Sequence, residues 1–143
     1  MSSKAAFCLL ILFLACSGYV HQAQARENTA RELFLKAEKL LESGRKEEVR
    51  DLMHELRNYP LYPYLEYEIL VADLNLKKES EILEFMAREP SAPLTEKIRR
   101  QWLSFLAENQ HWKTYARDYR DTGSQTLQCY FARALMEEGR FSE

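Results

Sequence analysis

Glycine and proline are scarce, with four of each in 143 residues. Turn-rich β folds need those residues at positions of special backbone conformation, so the scarcity excludes such folds. With abundant Leu, Ala, Glu, Lys and Arg, it favours helices. A one-signed charge is also missing: 20 Lys and Arg stand against 22 Asp and Glu. That balance gives no electrostatic reason to expect nucleic acid, whose binding depends on clustered basic residues, and no strong attraction to anionic lipid. Cysteine occurs only at positions 8, 16 and 129, and neither His54 nor His111 has a Cys or His partner at metal-ligand spacing. No metal site, cofactor site, phosphate-binding glycine loop or nucleophilic triad is expected. At 46% hydrophobic and 29% charged, the chain has the composition of one small globular domain.

The apolar run Ala5–Ala15 covers 11 residues, well short of the roughly 20 that a helix needs to cross the hydrocarbon core. Lys4 precedes it, and Ala23-Gln24-Ala25 follows with small residues suited to cleavage. Residues 1–25 therefore read as a secretory signal peptide cut after Ala25, with no permanent membrane span. The competing reading is a lipoprotein acylated at Cys16, against which stands Phe13 where a lipobox usually has Leu. Cleavage removes Lys4 alone among the charged residues and takes Cys8 and Cys16 with it. Cys129 is then the single thiol of an exported chain. It is read as a small buried residue on a helix, with a disulfide to a cysteine beyond residue 143 as the alternative.

From residue 26 onward the apolar residues recur at helical spacing. Leu33, Phe34, Ala37, Leu40 and Leu41 form one stripe, and Val49, Leu52, Met53 and Leu56 another beyond Gly44. Leu94, Ile98, Trp102, Phe105 and Leu106 are followed, past Asn109, by Trp112, Tyr115, Ala116 and Tyr119. A further stripe, Leu127, Tyr130, Phe131, Ala134 and Leu135, ends at Gly139. The stretch Leu61–Leu76 is apolar nearly all round, which predicts a helix covered on more than one side, and Ser80 is placed to cap a short helix carrying Ile82, Leu83 and Met86.

Turns fall near Gly44, Lys77, Asn109 and Gly139, at intervals of 33, 32 and 30 residues. That is the period of stacked αα-hairpins. The nine residues Ala37–Arg45 match Ala132–Arg140 at six positions, counting the Leu41/Met136 pair. Both look like the first helix and turn of a tetratricopeptide-like unit. The fold class expected is all-α, a right-handed superhelix of such hairpins. A second helix is expected after Gly139-Arg140, so residues 26–143 are read as the N-terminal part of a scaffold domain truncated before its natural end.

The segment Tyr59-Pro60-Leu61-Tyr62-Pro63-Tyr64-Leu65-Glu66-Tyr67 packs two Pro and four Tyr into nine residues. Pro60 biases Tyr59 toward an extended conformation and ends the preceding helix, whereas Pro63, which needs no backbone donor, suits the first turn of the next. The segment resembles, almost letter for letter, a signature of the N-terminal helical domain of soluble lytic murein transglycosylases. The likeness continues in order through Phe85, Ser91-Ala92-Pro93-Leu94, Trp102-Leu103, Leu106-Ala107, Trp112 and Leu127-Gln128-Cys129-Tyr130, covering essentially residues 28–140.

The resemblance implies a periplasmic, ring-like helical superhelix that carries a separate lysozyme-like catalytic domain. That domain cleaves peptidoglycan between N-acetylmuramic acid and N-acetylglucosamine and leaves 1,6-anhydromuropeptides. One Glu acts there as acid and then base, which requires a raised pKa. The family's catalytic Glu lies in a Glu-Ser-x-Phe type sequence followed by a Gly-Leu-Met-Gln type stretch. Here Glu79-Ser80 precedes Glu81-Ile82, so no catalytic residue is assigned and the chain alone is expected to be inactive. Peptidoglycan is the implied partner, reached through the full-length enzyme with its missing C-terminal helical and catalytic domains. The rival reading is a free-standing periplasmic helical-repeat module that binds another protein.

Tyr59, Tyr62, Tyr64 and Tyr67 are the candidate substrate-binding residues, since aromatic faces suit the C–H faces of sugar rings, with packing between helix pairs as the blander account. Trp102 and Trp112 are expected in the core. Glu47-Glu48 and Glu137-Glu138 read as solvated charge beside turns, the first pair supporting a helix N-terminus. Lys97, Arg99 and Arg100 read as a solvated helix face, with contact to acidic stem peptides as the alternative.

Overall fold

A computed structural model describes residues 26–88, 90 and 92–140, in which helices joined by turns and loops are the regular structure, with no strand among the described residues. The signal-peptide expectation, its Ala23/Ala25 cleavage site and the Cys16 alternative lie outside the described residues. The elements in order are α1 (26–42), α2 (Lys46–Leu56), α3 (Tyr62–Val71), a 3-10 turn (Leu76–Lys78), α4 (Glu79–Arg88), α5 (Pro93–Glu108), α6 (Trp112–Asp118) and α7 (Gln125–Glu137). The chain divides into two compact units, one up to Leu65 and one from Glu66.

In the first unit, α1 buries Phe34, Ala37 and Leu40, and α2 buries Val49 and Leu56. They lie at i, i+3 and i+6 along α1 and at i and i+7 along α2, on the faces that the periodicity predicts. The corner between the two helices is a Schellman closure. Gly44 N–H donates to Leu41 C=O (2.9 Å) and Arg45 N–H to Leu40 C=O (2.9 Å), which satisfies carbonyls the helix end would leave orphaned. The closure requires a left-handed residue, and Gly44 has φ +74°. Glu47 and Glu48 occupy the first turn of α2, where carboxylates favour the positive end of the helix dipole. The Tyr59 ring returns to Phe34, with centroids 5.3 Å apart.

The second unit is built on α5. Pro93 stands at its first position, where a missing N–H costs nothing. Ile98, Trp102, Leu103, Leu106 and Ala107 are buried along it, together with Tyr67 and Leu70 of α3, Ile82, Phe85 and Met86 of α4, Tyr115 of α6, and Leu127 and Ala134 of α7. The α5–α6 corner repeats the chemistry of the first corner. Gln110 N–H donates to Ala107 C=O (3.1 Å) and His111 N–H to Leu106 C=O (2.8 Å). The left-handed residue here is Gln110, φ +57°. The residues that open α2 and α6 adopt nearly the same conformation, φ −85° and ψ 60° at Arg45, φ −82° and ψ 58° at His111. Gly139 and Arg140 close α7 in the same way, onto Met136 and Leu135. The Ala37–Arg45 and Ala132–Arg140 likeness is therefore a shared helix-end geometry.

Four expectations need correction. The helix predicted over Leu61–Leu76 stops at Val71, and Leu76 opens a 3-10 turn. Asn75, which accepts the Lys77 N–H (3.0 Å), makes the cap that starts the new helical direction. Ser80 is consequently inside α4 and caps nothing. Tyr119 falls just past the end of α6 as its C-cap, because the backbone turns extended there. Cys129 is exposed: two residues beyond the buried Leu127, it points about 200° round the helix from the packed face.

Candidate functional site

The four tyrosines of the Tyr59–Tyr67 segment do not share one environment. Tyr59 is half-buried against Phe34, in the turn before α3. Tyr62 is half-buried at the first position of α3. Tyr64 is 53% exposed, and Tyr67 is 2% exposed. The Tyr67 hydroxyl accepts from Gln101 Nε2 of α5 (2.9 Å), and the Lys97 ammonium sits 4.6 Å from its ring centroid. One face of that ring is thus committed to a cation–π contact. Of the four, Tyr64 is the one whose ring is largely open to solvent.

The three basic residues read as one helix face go to three places. Lys97 covers Tyr67. Arg100 Nη2 donates to Thr122 C=O (3.1 Å), pinning the α6–α7 loop to α5. Arg99 lines a cleft with Arg117 and Arg120. Sequence spacing missed this third grouping because Arg99 and Arg117 come from different helices. Only the α5–α6 corner brings them together.

A polar network crosses the second unit beside that cleft. The Trp102 indole Nε1 donates to Asp118 Oδ2 (2.9 Å), and Arg117 Nε donates to Asp118 Oδ1 (2.7 Å). Arg117 also pairs with Glu79 at the start of α4. The hydrogen bond to Asp118, together with both nearby carboxylates, keeps the Arg117 guanidinium charged far above any ordinary pH.

An aromatic group joins α6 to α7. Tyr119 stacks on Phe131 at 4.1 Å and on Tyr115 at 6.1 Å, while Trp112 and Tyr130 lie 6.4 Å apart. Trp102 is fully buried, as expected, whereas Trp112 is half-buried, with the Arg133 guanidinium 4.7 Å from its ring centroid. The Tyr115 hydroxyl donates to Leu127 C=O (2.8 Å). Burial pushes this hydroxyl well above the usual tyrosine range, and the neighbouring Tyr119 and Tyr130 add to the effect. In the connecting loop, Asp121 Oδ1 accepts from Gly123 N–H (2.8 Å) and Gln128 Nε2 (3.2 Å). Those bonds, the first foremost, hold its carboxyl below the ordinary range.

His54 is exposed and faces Arg57, and His111 opens α6 beside the Phe105 ring. Among the described residues, no helix is long and apolar enough to cross a membrane.

Sequence comparison places these features beside known proteins. No family model matches the chain, and no solved structure matches it significantly. The soluble lytic murein transglycosylase of Escherichia coli (strain K12) is 28% identical over 96 residues, covering 66% of this chain and 15% of that protein. The soluble lytic murein transglycosylase of Salmonella typhimurium (strain LT2) is 28% identical over 93 residues, or 64% of this chain and 14% of that protein. The matched stretch thus spans about one seventh of the length of these relatives. Over about two thirds of its length, then, this chain is similar to soluble lytic murein transglycosylases, the family that its Tyr59–Tyr67 segment resembles.

Proposed function

We propose that this chain forms part of the non-catalytic helical scaffold of a periplasmic lytic murein transglycosylase, the class of enzyme that cuts peptidoglycan strands during cell-wall turnover. The observation that carries the reading is the similarity to murein transglycosylases along two thirds of an all-helical chain. The recurrent helix corner supports it. The same Schellman closure at Gly44, Gln110 and Gly139 is what a right-handed superhelix of stacked αα-hairpins would reuse from repeat to repeat. In this reading the scaffold positions glycan strands around a lysozyme-like catalytic domain, and the chain itself supplies no acid/base Glu.

The test is incubation of the purified chain with murein sacculi, followed by analysis of the soluble products. No 1,6-anhydromuropeptides are expected. Their release in a preparation free of other murein hydrolases would overturn the scaffold assignment. Cosedimentation with the same sacculi reports whether the scaffold touches murein directly.

A further inference from the structure

One side of α5 lines an open groove of about 340 Å³, to which Arg100, Gln101, Ser104, Phe105 and Glu108 contribute together with Leu74. We propose that this groove binds a neutral oligosaccharide. Its apolar part is Leu74 and Phe105, both half-buried, with the Phe105 ring stacked on Trp102 at 5.5 Å. The inference gives the chain a contact of its own with glycan, and it rests on the scaffold reading only for the identity of the natural strand.

The α5 residues of the groove fall at i, i+1, i+4, i+5 and i+8. They form a strip along one side of the helix, about 12 Å from Arg100 to Glu108 at 1.5 Å per residue, which is longer than a single pyranose ring. Much of the hydrogen-bonding capacity along this strip is unspent. Arg100 gives Nη2 to Thr122 C=O (3.1 Å) and pairs with no carboxylate among the described residues. Gln101 gives Nε2 to the Tyr67 hydroxyl (2.9 Å), which leaves its Oε1 as an acceptor. The Ser104 hydroxyl and the Glu108 carboxylate have no protein partner among the described residues. These groups are half-buried or exposed, so a ligand has to replace their water bond for bond. A saccharide can do this because each of its hydroxyls both donates and accepts. It accepts from the guanidinium at one end and donates to the carboxylate at the other, while a C–H face of the ring covers Phe105 and Leu74. One guanidinium and one carboxylate leave the groove without net charge, and a simple ion of either sign satisfies one end alone. The volume falls within the range of small-ligand sites.

The experiment is an NMR titration of the 143-residue chain, following the Leu74 methyls and the Gln101 side-chain amide. The probes are chitotriose, the β-1,4-linked trimer of N-acetylglucosamine, with the monomer and zwitterionic trialanine beside it. Saturable shifts at both signals are expected with chitotriose, and weaker binding with the monomer, which covers only part of the strip. Trialanine, whose charged termini suit Glu108 and Arg100, should also bind more weakly than chitotriose. Arg100→Gln and Glu108→Gln should each weaken chitotriose binding by about fivefold, the loss of one hydrogen-bonding group, and Lys36→Gln on α1 should not. The absence of any saturable shift with chitotriose would overturn the proposal, as would trialanine binding the more tightly, which would make the groove a peptide site. Chitotriose binding unchanged in both groove variants would overturn it too, by placing the sugar elsewhere. If Arg100→Gln loosens the bond to Thr122 and fails to fold, Glu108→Gln, on an exposed side chain without a protein partner, decides the same question. Failure of the groove leaves the scaffold reading standing, because that reading is tested separately by product release from sacculi.

Discussion

The indole N–H of Trp102 and the carboxylate of Asp118 meet at 2.9 Å, with the tryptophan fully buried and the aspartate side chain only 4% exposed. The bond ties the middle of α5 to the last turn of α6. It also satisfies the one polar atom that a buried indole brings into a core.

Asp118→Ala should therefore destabilise the second unit by roughly 2–3 kcal/mol, the cost of a lost charged hydrogen bond together with a donor left unpaired. The exposed Arg117 partner adds little, because solvent screens it. Trp fluorescence during urea unfolding measures the effect, and a midpoint unchanged from the parent would contradict it.

The neighbouring tyrosines of α3 should respond to truncation by very different amounts. Tyr67→Ala empties a buried site and removes the acceptor of Gln101, which predicts a loss of roughly 3 kcal/mol. Tyr64→Ala, at an exposed position, should cost less than about 0.5 kcal/mol. Reduced retention on murein sacculi with an unchanged melting temperature for Tyr64→Ala would identify Tyr64 as a sugar contact.

Tyr115 makes the second unit sensitive to alkali. Its hydroxyl ionises less readily in the folded chain than in the unfolded one, so its contribution is fully present below the unfolded value, about pH 10. That contribution declines as pH rises further, toward the raised folded value. Tyr115→Phe should lose about 1–2 kcal/mol at neutral pH with the bond to Leu127, and should flatten the alkaline decline. An identical slope above pH 10 in parent and variant would contradict this assignment.

The corner at Gln110 offers a stabilising change. A side chain at φ +57° is strained where glycine is not, by roughly 1 kcal/mol after the entropy lost by glycine is counted. Gln110→Gly should raise the melting temperature, whereas Gly44→Ala, at φ +74°, should lower it despite the open space around it. Differential scanning calorimetry of the two variants reads both signs, and a fall with Gln110→Gly would be the contrary outcome.

Much of the local structure was legible in the sequence because it depends on near neighbours. The stripes Phe34–Ala37–Leu40 and Ile98–Trp102–Leu106 bury the faces their spacing predicts. Gly44 and Gly139 end helices because few other residues tolerate the left-handed closure. Pro63 stands in the first turn of α3, as a residue without an N–H can. The errors were also local in kind. In Leu61–Leu76 uniform apolarity concealed the cap at Asn75, since hydrophobicity without periodicity does not mark an end.

The sequence by itself determined the helical class, two of the three left-handed corners and the likeness to murein transglycosylases, because each rests on residue type and short-range order. Tertiary structure alone decided which charges meet. Arg99 and Arg117 are 18 positions apart on different helices, and they line one cleft because the corner at Gln110 folds α6 back along α5. It also decided that Tyr67 is enclosed while Tyr64, three residues away, faces solvent. Identical side chains on one short helix carry no local signal of which face a neighbouring helix will cover, and burial there is set by packing between elements distant in sequence.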